Sequence, residues 1–122
     1  MTSLARPAGL VWLLMFAAIA VGSLVPAHDL PAPAFDGFDK VEHLLGYAVL
    51  SGYGVILDAS RRGRWRAMLA AVAFGIAIEF AQAAFTATRE ADVVDALANT
   101  LGAALGQLVA FTPLGGRLQR RA

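Results

Sequence analysis

The sequence predicts an all-α membrane protein: a four-transmembrane-helix bundle, one domain over residues 1–122, with both termini cytoplasmic. Hydrophobic residues make up 58% of the chain against 16% charged, and mean hydropathy is +0.63, far from the soluble balance. Four apolar segments of helical length follow one another along the chain. The cations segregate around them: Arg6, Arg61, Arg62, Arg64, Arg66, Arg117, Arg120 and Arg121 share one side, and only Lys40 and Arg89 the other. By the positive-inside rule the arginine side is cytoplasmic.

The first span covers about residues 9–25, inside a stretch from Pro7 to Ala27 that carries no charge. Pro26, His28, Asp29, Pro31 and Pro33 follow it and cannot continue a helix. Arg6, the apolar run and Val25-Pro26-Ala27 loosely resemble a cleaved signal peptide. The run exceeds the usual ~7–15 residues, and proline sits awkwardly in a cleavage site, so an uncleaved span is the expectation. The second span covers about 41–57. A link from Asp58 to Arg66 then carries four arginines, and the third span follows at about 67–85. The fourth covers about 93–111, ended by Thr112-Pro113 and Gly115-Gly116. Spans of about 17–19 residues at 1.5 Å each measure about 26–29 Å, enough to cross a bilayer core. Trp12 and Trp65 suit interfacial anchors.

Cysteine is absent, which excludes disulfides, thiolate nucleophiles and cysteine zinc sites. No basic cluster interleaved with aromatics tracks a nucleic-acid strand, so no nucleic-acid partner is expected. No pattern requires a cofactor, and metal binding is left open.

Among the polar or ionisable residues in or beside the last three spans, ten form helically spaced sets: Asp39, Lys40, His43, Tyr47, Glu79, Gln82, Arg89, Asp92, Asp95 and Asn99. A charge at the bilayer centre costs roughly 2.5–3.5 kcal/mol on insertion scales, so each such group needs a partner, a water path or a purpose. Asp39, His43 and Tyr47 are spaced i, i+4, i+8 on one helical face; Glu79 and Gln82 are i, i+3; Asp92, Asp95 and Asn99 are i, i+3, i+7. Counted from the outer ends of their spans, His43 and Asp95 lie about 3 Å down, and Tyr47, Glu79 and Asn99 about 9 Å. Three segments therefore deliver polar groups to the outer half of the membrane. The arginine count used for orientation does not force that agreement.

Each residue also has a plain structural reading. Asp39 and Asp92 suit helix caps or interfacial charges. Lys40 and Arg89 can snorkel, neutralise carboxylates or hold a lipid phosphate at headgroup level. His43 alone reads as a hydrogen-bonded histidine, and Tyr47 and Gln82 as support groups. Gly102 and Gly106, four apart, suit close helix packing. Glu79 differs, because a carboxylate well inside an apolar helix is functional by default. His43, Glu79 and Asp95 are the catalytic candidates: together they could ligate a hard divalent cation, or one could serve as a general base.

The series Asp39-Lys-x-x-His43-x-x-x-Tyr47, Glu79-x-x-Gln82 and Arg89-x-x-Asp92-x-x-Asp95-x-x-x-Asn99-x-x-Gly102-x-x-x-Gly106 resembles the VanZ-like family of small bacterial membrane proteins. The resemblance spans about residues 39–109. It implies a multi-pass protein of the bacterial inner membrane and cell envelope, and the founding member is linked to low-level teicoplanin resistance. It implies no settled reaction.

The leading expectation is therefore an envelope protein in the lipid bilayer whose outward-facing polar site binds a lipid-linked cell-wall precursor or a glycopeptide-related ligand. The alternative is a membrane-embedded hydrolase or transferase using His43, Glu79 and Asp95, with or without a metal. A third reading makes the polar set a buried network that fixes helix packing. Transport fits poorly, because the inner half offers no matching polar path unless a homo-oligomer formed through the glycine faces supplies one.

Overall fold

The structure, a computed structural model, describes residues 5–25, 38–85 and 93–117. They form four helices: α1 (Ala5–Leu24), α2 (Phe38–Leu57), α3 (Arg61–Phe85) and α4 (Val93–Gly106), the last continued by a 3-10 helix at Gln107–Phe111. Three stretches are long and apolar enough to cross a membrane: Pro7–Leu24, Arg61–Phe85 and Val93–Phe111. The beginning of α2 is more polar, with Asp39, Lys40 and Glu42 in its first five residues.

Packing is inverted relative to a water-soluble bundle. Leu13, Leu14, Leu69, Phe80, Leu97 and Leu108 are exposed, while Ser51, Glu79, Gln82, Asp95 and Asn99 are buried. A soluble protein does not leave so many large apolar side chains facing outward, whereas lipid accommodates them. Thr100 follows the same logic. It lies on the exposed face, and its hydroxyl donates to the Ala96 carbonyl of its own helix at 2.9 Å.

Helices successive in the chain alternate in direction. Along α1 and α2, Tyr53 Oη donates to the Ala8 carbonyl at 3.0 Å and Trp12 Nε1 to the Leu50 carbonyl at 2.9 Å, an antiparallel pair. Helices α2 and α4 are parallel and make the most extensive pair in the bundle. A Cβ on Gly102 would collide with the Leu44 carbonyl oxygen, and one on Gly106 with the Ala48 carbonyl oxygen and, at 2.7 Å, with Gly52 N. The two backbones approach this closely only because those positions carry no side chain. On α3, Gly63, Ala67, Ala71, Gly75 and Glu79 repeat every four residues and are all buried. This stripe of small residues lets α2 lie against α3. The aromatic core is Trp12, Phe16, Phe74 and Tyr47; Phe16 and Phe74 meet edge-on with centroids 5.0 Å apart.

Two sequence expectations are corrected. The arginine-rich link is mostly helical, since α3 begins at Arg61 rather than near residue 67. Ser60 caps it: its Oγ accepts from Gly63 N at 3.1 Å, the third residue of the helix, and arginine is a good helix former. Trp12 is not a surface anchor but turns inward, because its indole N–H finds the Leu50 carbonyl. Trp65 remains 58% exposed in the first turns of α3.

The start of α1, the end of α2, the start of α3 and the residues after α4 share one end of the bundle. There Gly116 N donates to the Val55 carbonyl at 2.8 Å, satisfying one of the carbonyls that the last turn of α2 leaves open. Gly116 adopts a φ of 70°, a conformation that favours glycine. Arg61, Arg62, Arg64, Arg66 and Arg117 all lie at this end. At the α2–α3 turn, Asp58 Oδ1 accepts from Ser60 N at 2.9 Å and Oδ2 lies 3.8 Å from Arg66 Nη2. Burial pushes the Asp58 carboxyl up, but the Ser60 hydrogen bonds and the Arg66 guanidinium outweigh it and hold it below the usual carboxylate range.

Candidate functional site

The opposite end collects the polar side chains. His43 from α2, Glu79 from α3 and Asp95 from α4 bring an imidazole nitrogen and two carboxylate oxygens within 4.8 Å of one another. Glu79 is 6% and Asp95 8% exposed, and His43 is half-buried. Lys40, one turn before His43, places Nζ 2.6 Å from Asp95 Oδ1. That contact is an ion pair rather than an aligned hydrogen bond.

One helical turn deeper lies a second tier. Tyr47 follows His43 by four residues, Asn99 follows Asp95 by four, and Gly75 precedes Glu79 by four. A Cβ on Gly75 would lie 3.0 Å from Asn99 Nδ2 and 3.2 Å from Tyr47 Cε1, so the three positions meet. Tyr47 and Asn99 are each 1% exposed. Among the described residues, the Tyr47 hydroxyl and both polar atoms of the Asn99 amide have no hydrogen-bond partner. The Tyr47 hydroxyl lies within electrostatic reach of the Glu79 carboxylate.

Counting from predicted span ends put Glu79 level with Tyr47 and Asn99; the structure puts it level with His43 and Asp95. The cause is the start of α2, which begins at Phe38, three residues earlier than expected. His43 is then five residues from its helix end and Glu79 six from Phe85, so both lie at a similar depth. Gln82, one turn beyond Glu79, donates through Nε2 to the Ser23 carbonyl at 2.9 Å. It thereby ties α3 to one of the carbonyls left open at the end of α1. The Asp39 side chain, Arg89 and Asp92 lie outside the described residues.

Three contributors to this architecture carry little sequence signal. Ser51 is fully buried and its Oγ accepts from Gln107 Nε2 at 2.7 Å, joining α2 to the 3-10 helix. Gly75 is visible only as a member of the four-residue repeat on α3. A shallow groove of about 310 Å³ runs between α2 and α4, with Lys40 at its rim and Val41, Leu44, Val94, Leu97, Ala98 and Leu101 as apolar walls. Its side chains are individually ordinary, and only the parallel pairing of α2 with α4 assembles them.

Chemically, the site offers one imidazole, two carboxylates, one ammonium, and a neutral hydroxyl and amide below them. Comparison with curated proteins and with solved structures yields no match. The family model described as VanZ/LLP1 matches residues 7–114, nearly the whole chain and all the described parts of this polar layer, and the protein belongs to the VanZ/LLP1 family.

Proposed function

We propose that the chain crosses the bilayer four times, with both termini and the arginine-rich end in the cytoplasm, and that its polar end binds a lipid-linked phosphate at the outer leaflet of the bacterial envelope. The fourth crossing is α2. Its 20 residues are long enough at about 30 Å. The other three helices all pack against it, so Tyr47 and Ser51 meet protein rather than hydrocarbon. The arginines at the start of α3 and after α4 support the orientation.

The observation that carries the ligand reading is the groove between α2 and α4. An apolar trough rimmed by the Lys40 ammonium suits an amphiphile with a hydrocarbon chain and an anionic head. Leu44, Leu97 and Leu101 receive the chain, and Lys40, one-third exposed, reaches the phosphate. Lipid-linked cell-wall precursors belong to this chemical class, which connects the site to glycopeptide susceptibility.

Native mass spectrometry of the protein in nanodiscs containing a polyprenyl phosphate tests the proposal. The wild type retains the lipid, while Lys40→Met and Leu97→Gln release it at lower collision energy with insertion unchanged. Equal retention by all three would remove the proposed site. In cells, Glu79→Gln and His43→Ala should abolish any change in glycopeptide susceptibility that the wild type confers.

A further inference from the structure

We propose that His43, Glu79 and Asp95 form a site for one divalent first-row transition-metal ion, and that Lys40 is the internal cation it displaces. The inference rests on the polar layer being the ligand site proposed above and assigns it a second component.

Three helices each supply one donor, so the geometry is set by helix packing rather than by a loop. A mixed set of one imidazole and two carboxylates suits Zn²⁺, Mn²⁺ or Fe²⁺, and three protein ligands leave a coordination position open. Donors bound at about 2.1 Å to one centre lie at most about 4.2 Å apart. The three donor atoms lie within 4.8 Å of one another, close to that limit.

Charge gives the second argument. Glu79 and Asp95 place two carboxylates in a buried tier, and Lys40 contributes one positive charge at 2.6 Å from Asp95. A phosphate entering the groove competes for the same ammonium, which lies on its rim. When Lys40 turns outward to that phosphate, Asp95 loses the counter-charge that lies 2.6 Å away. A divalent ion replaces that charge, and anionic ligand and metal then favour each other's binding.

A deeper polar tier lies behind these donors. Tyr47 Oη and the Asn99 amide are 99% buried beneath the cluster and have no partner among the described residues. Buried polar atoms of this kind are uncommon. They sit where a hydroxyl and an amide would bond metal-bound water or orient the ligating carboxylate, the usual task of groups behind a metal site.

The test uses full-length protein in detergent micelles after chelator treatment, with Mn²⁺ followed by electron paramagnetic resonance and Zn²⁺ by calorimetry. The wild type should bind one ion per chain. Lys40→Met should bind about tenfold more tightly or better, because a competing positive charge has gone. Glu79→Gln should lose binding while keeping its helical circular dichroism and elution volume. Absence of saturable binding by both wild type and Lys40→Met up to about 1 mM ion would overturn the inference. So would wild-type affinity in folded Glu79→Gln. Polyprenyl-phosphate retention measured in chelator separates the two ideas: lipid binding without any metal binding removes the cation site alone, and metal binding without lipid retention keeps the cation site and removes the ligand reading.

Discussion

Lys40 Nζ lies 2.6 Å from Asp95 Oδ1, joining the first turn of α2 to the first turn of α4 across the mouth of the polar layer. The partners differ in exposure, at 33% for the lysine and 11% for the aspartate. The lysine can therefore leave for water, whereas the aspartate cannot. Truncating Lys40 removes the counter-charge of a carboxylate with little solvent, and truncating Asp95 leaves an ammonium that can turn outward. Lys40→Met should destabilise the fold by about 1–2 kcal/mol, and Asp95→Asn by less, with a coupling below the sum. Unfolding of the single and double variants in mixed micelles measures this. Equal and additive losses would mean that the pair contributes nothing as a pair.

The α2–α4 contact makes a larger prediction. Gly106→Ala drives a Cβ into the Ala48 carbonyl oxygen and to 2.9 Å from Ser51 Cβ, and neither backbone can yield without separating the helices. The cost should be about 1–3 kcal/mol, with loss of compactness in gel filtration. Gly22→Ala is the control, since nothing lies within 4 Å of its added Cβ. There the gain in helix propensity should make the change neutral or stabilising by up to about 1 kcal/mol.

Ser51 and Gln107 supply a test of buried polarity on the same interface. Ser51→Ala leaves the Gln107 amide without its acceptor, and Gln107→Leu leaves the Ser51 hydroxyl without its donor, each costing about 1 kcal/mol. Making both changes removes both polar groups together, so the double variant should be less destabilised than the sum. Strict additivity in thermal melts would show that the hydrogen bond carries no coupling.

Much of this organisation is legible in sequence because it is local. The unbroken apolar run before Val25 and the four-residue repeats in α2, α3 and α4 are properties of one helix at a time. The all-helical membrane class and the family resemblance therefore follow from short stretches. What is not legible depends on which helices touch. Nothing around Leu44 or Leu97 marks a groove until α2 and α4 lie parallel, and Ser51 and Gln107 are 56 residues apart. Trp12 misled because interfacial preference is a population tendency, overridden here by one carbonyl within reach. Ser60 was readable: a serine three residues before a glycine inside an arginine run is an adequate cap, and it moves the start of α3 by about 1.7 turns.

Asp58 predicts a pH dependence confined to the α2–α3 turn. Its folded-state pKa is held below the ordinary value, so its hydrogen bonds and the Arg66 contact stabilise the fold above the unfolded pKa of about 4. That contribution disappears as pH falls through the lower, folded value. The melting temperature of wild type minus that of Asp58→Ala should therefore be constant from pH 7 to about 5 and shrink toward zero below about pH 4. Taking the difference removes the other carboxylates from the comparison. A difference that grows on acidification would reverse the assigned direction.

The proposed topology is testable with unusual economy because the chain contains no cysteine. Single cysteines at Arg62 and at Thr88 place one thiol in the first turn of α3 and one in the link between α3 and α4. If the arginines hold their end in the cytoplasm, an impermeant maleimide added to intact cells should label Thr88→Cys, and label Arg62→Cys only after lysis. A third thiol at Arg117 should behave like Arg62, because Gly116 N bonds to the Val55 carbonyl and brings the end of the described chain beside the α2–α3 turn. Labelling of Arg62→Cys in intact cells would invert the orientation and put the polar layer, with Lys40 and its groove, on the cytoplasmic leaflet. Opposite labelling of Arg62→Cys and Arg117→Cys is a different failure. It would mean that α3 and the α4 segment do not both cross, and the even number of crossings would fall with it.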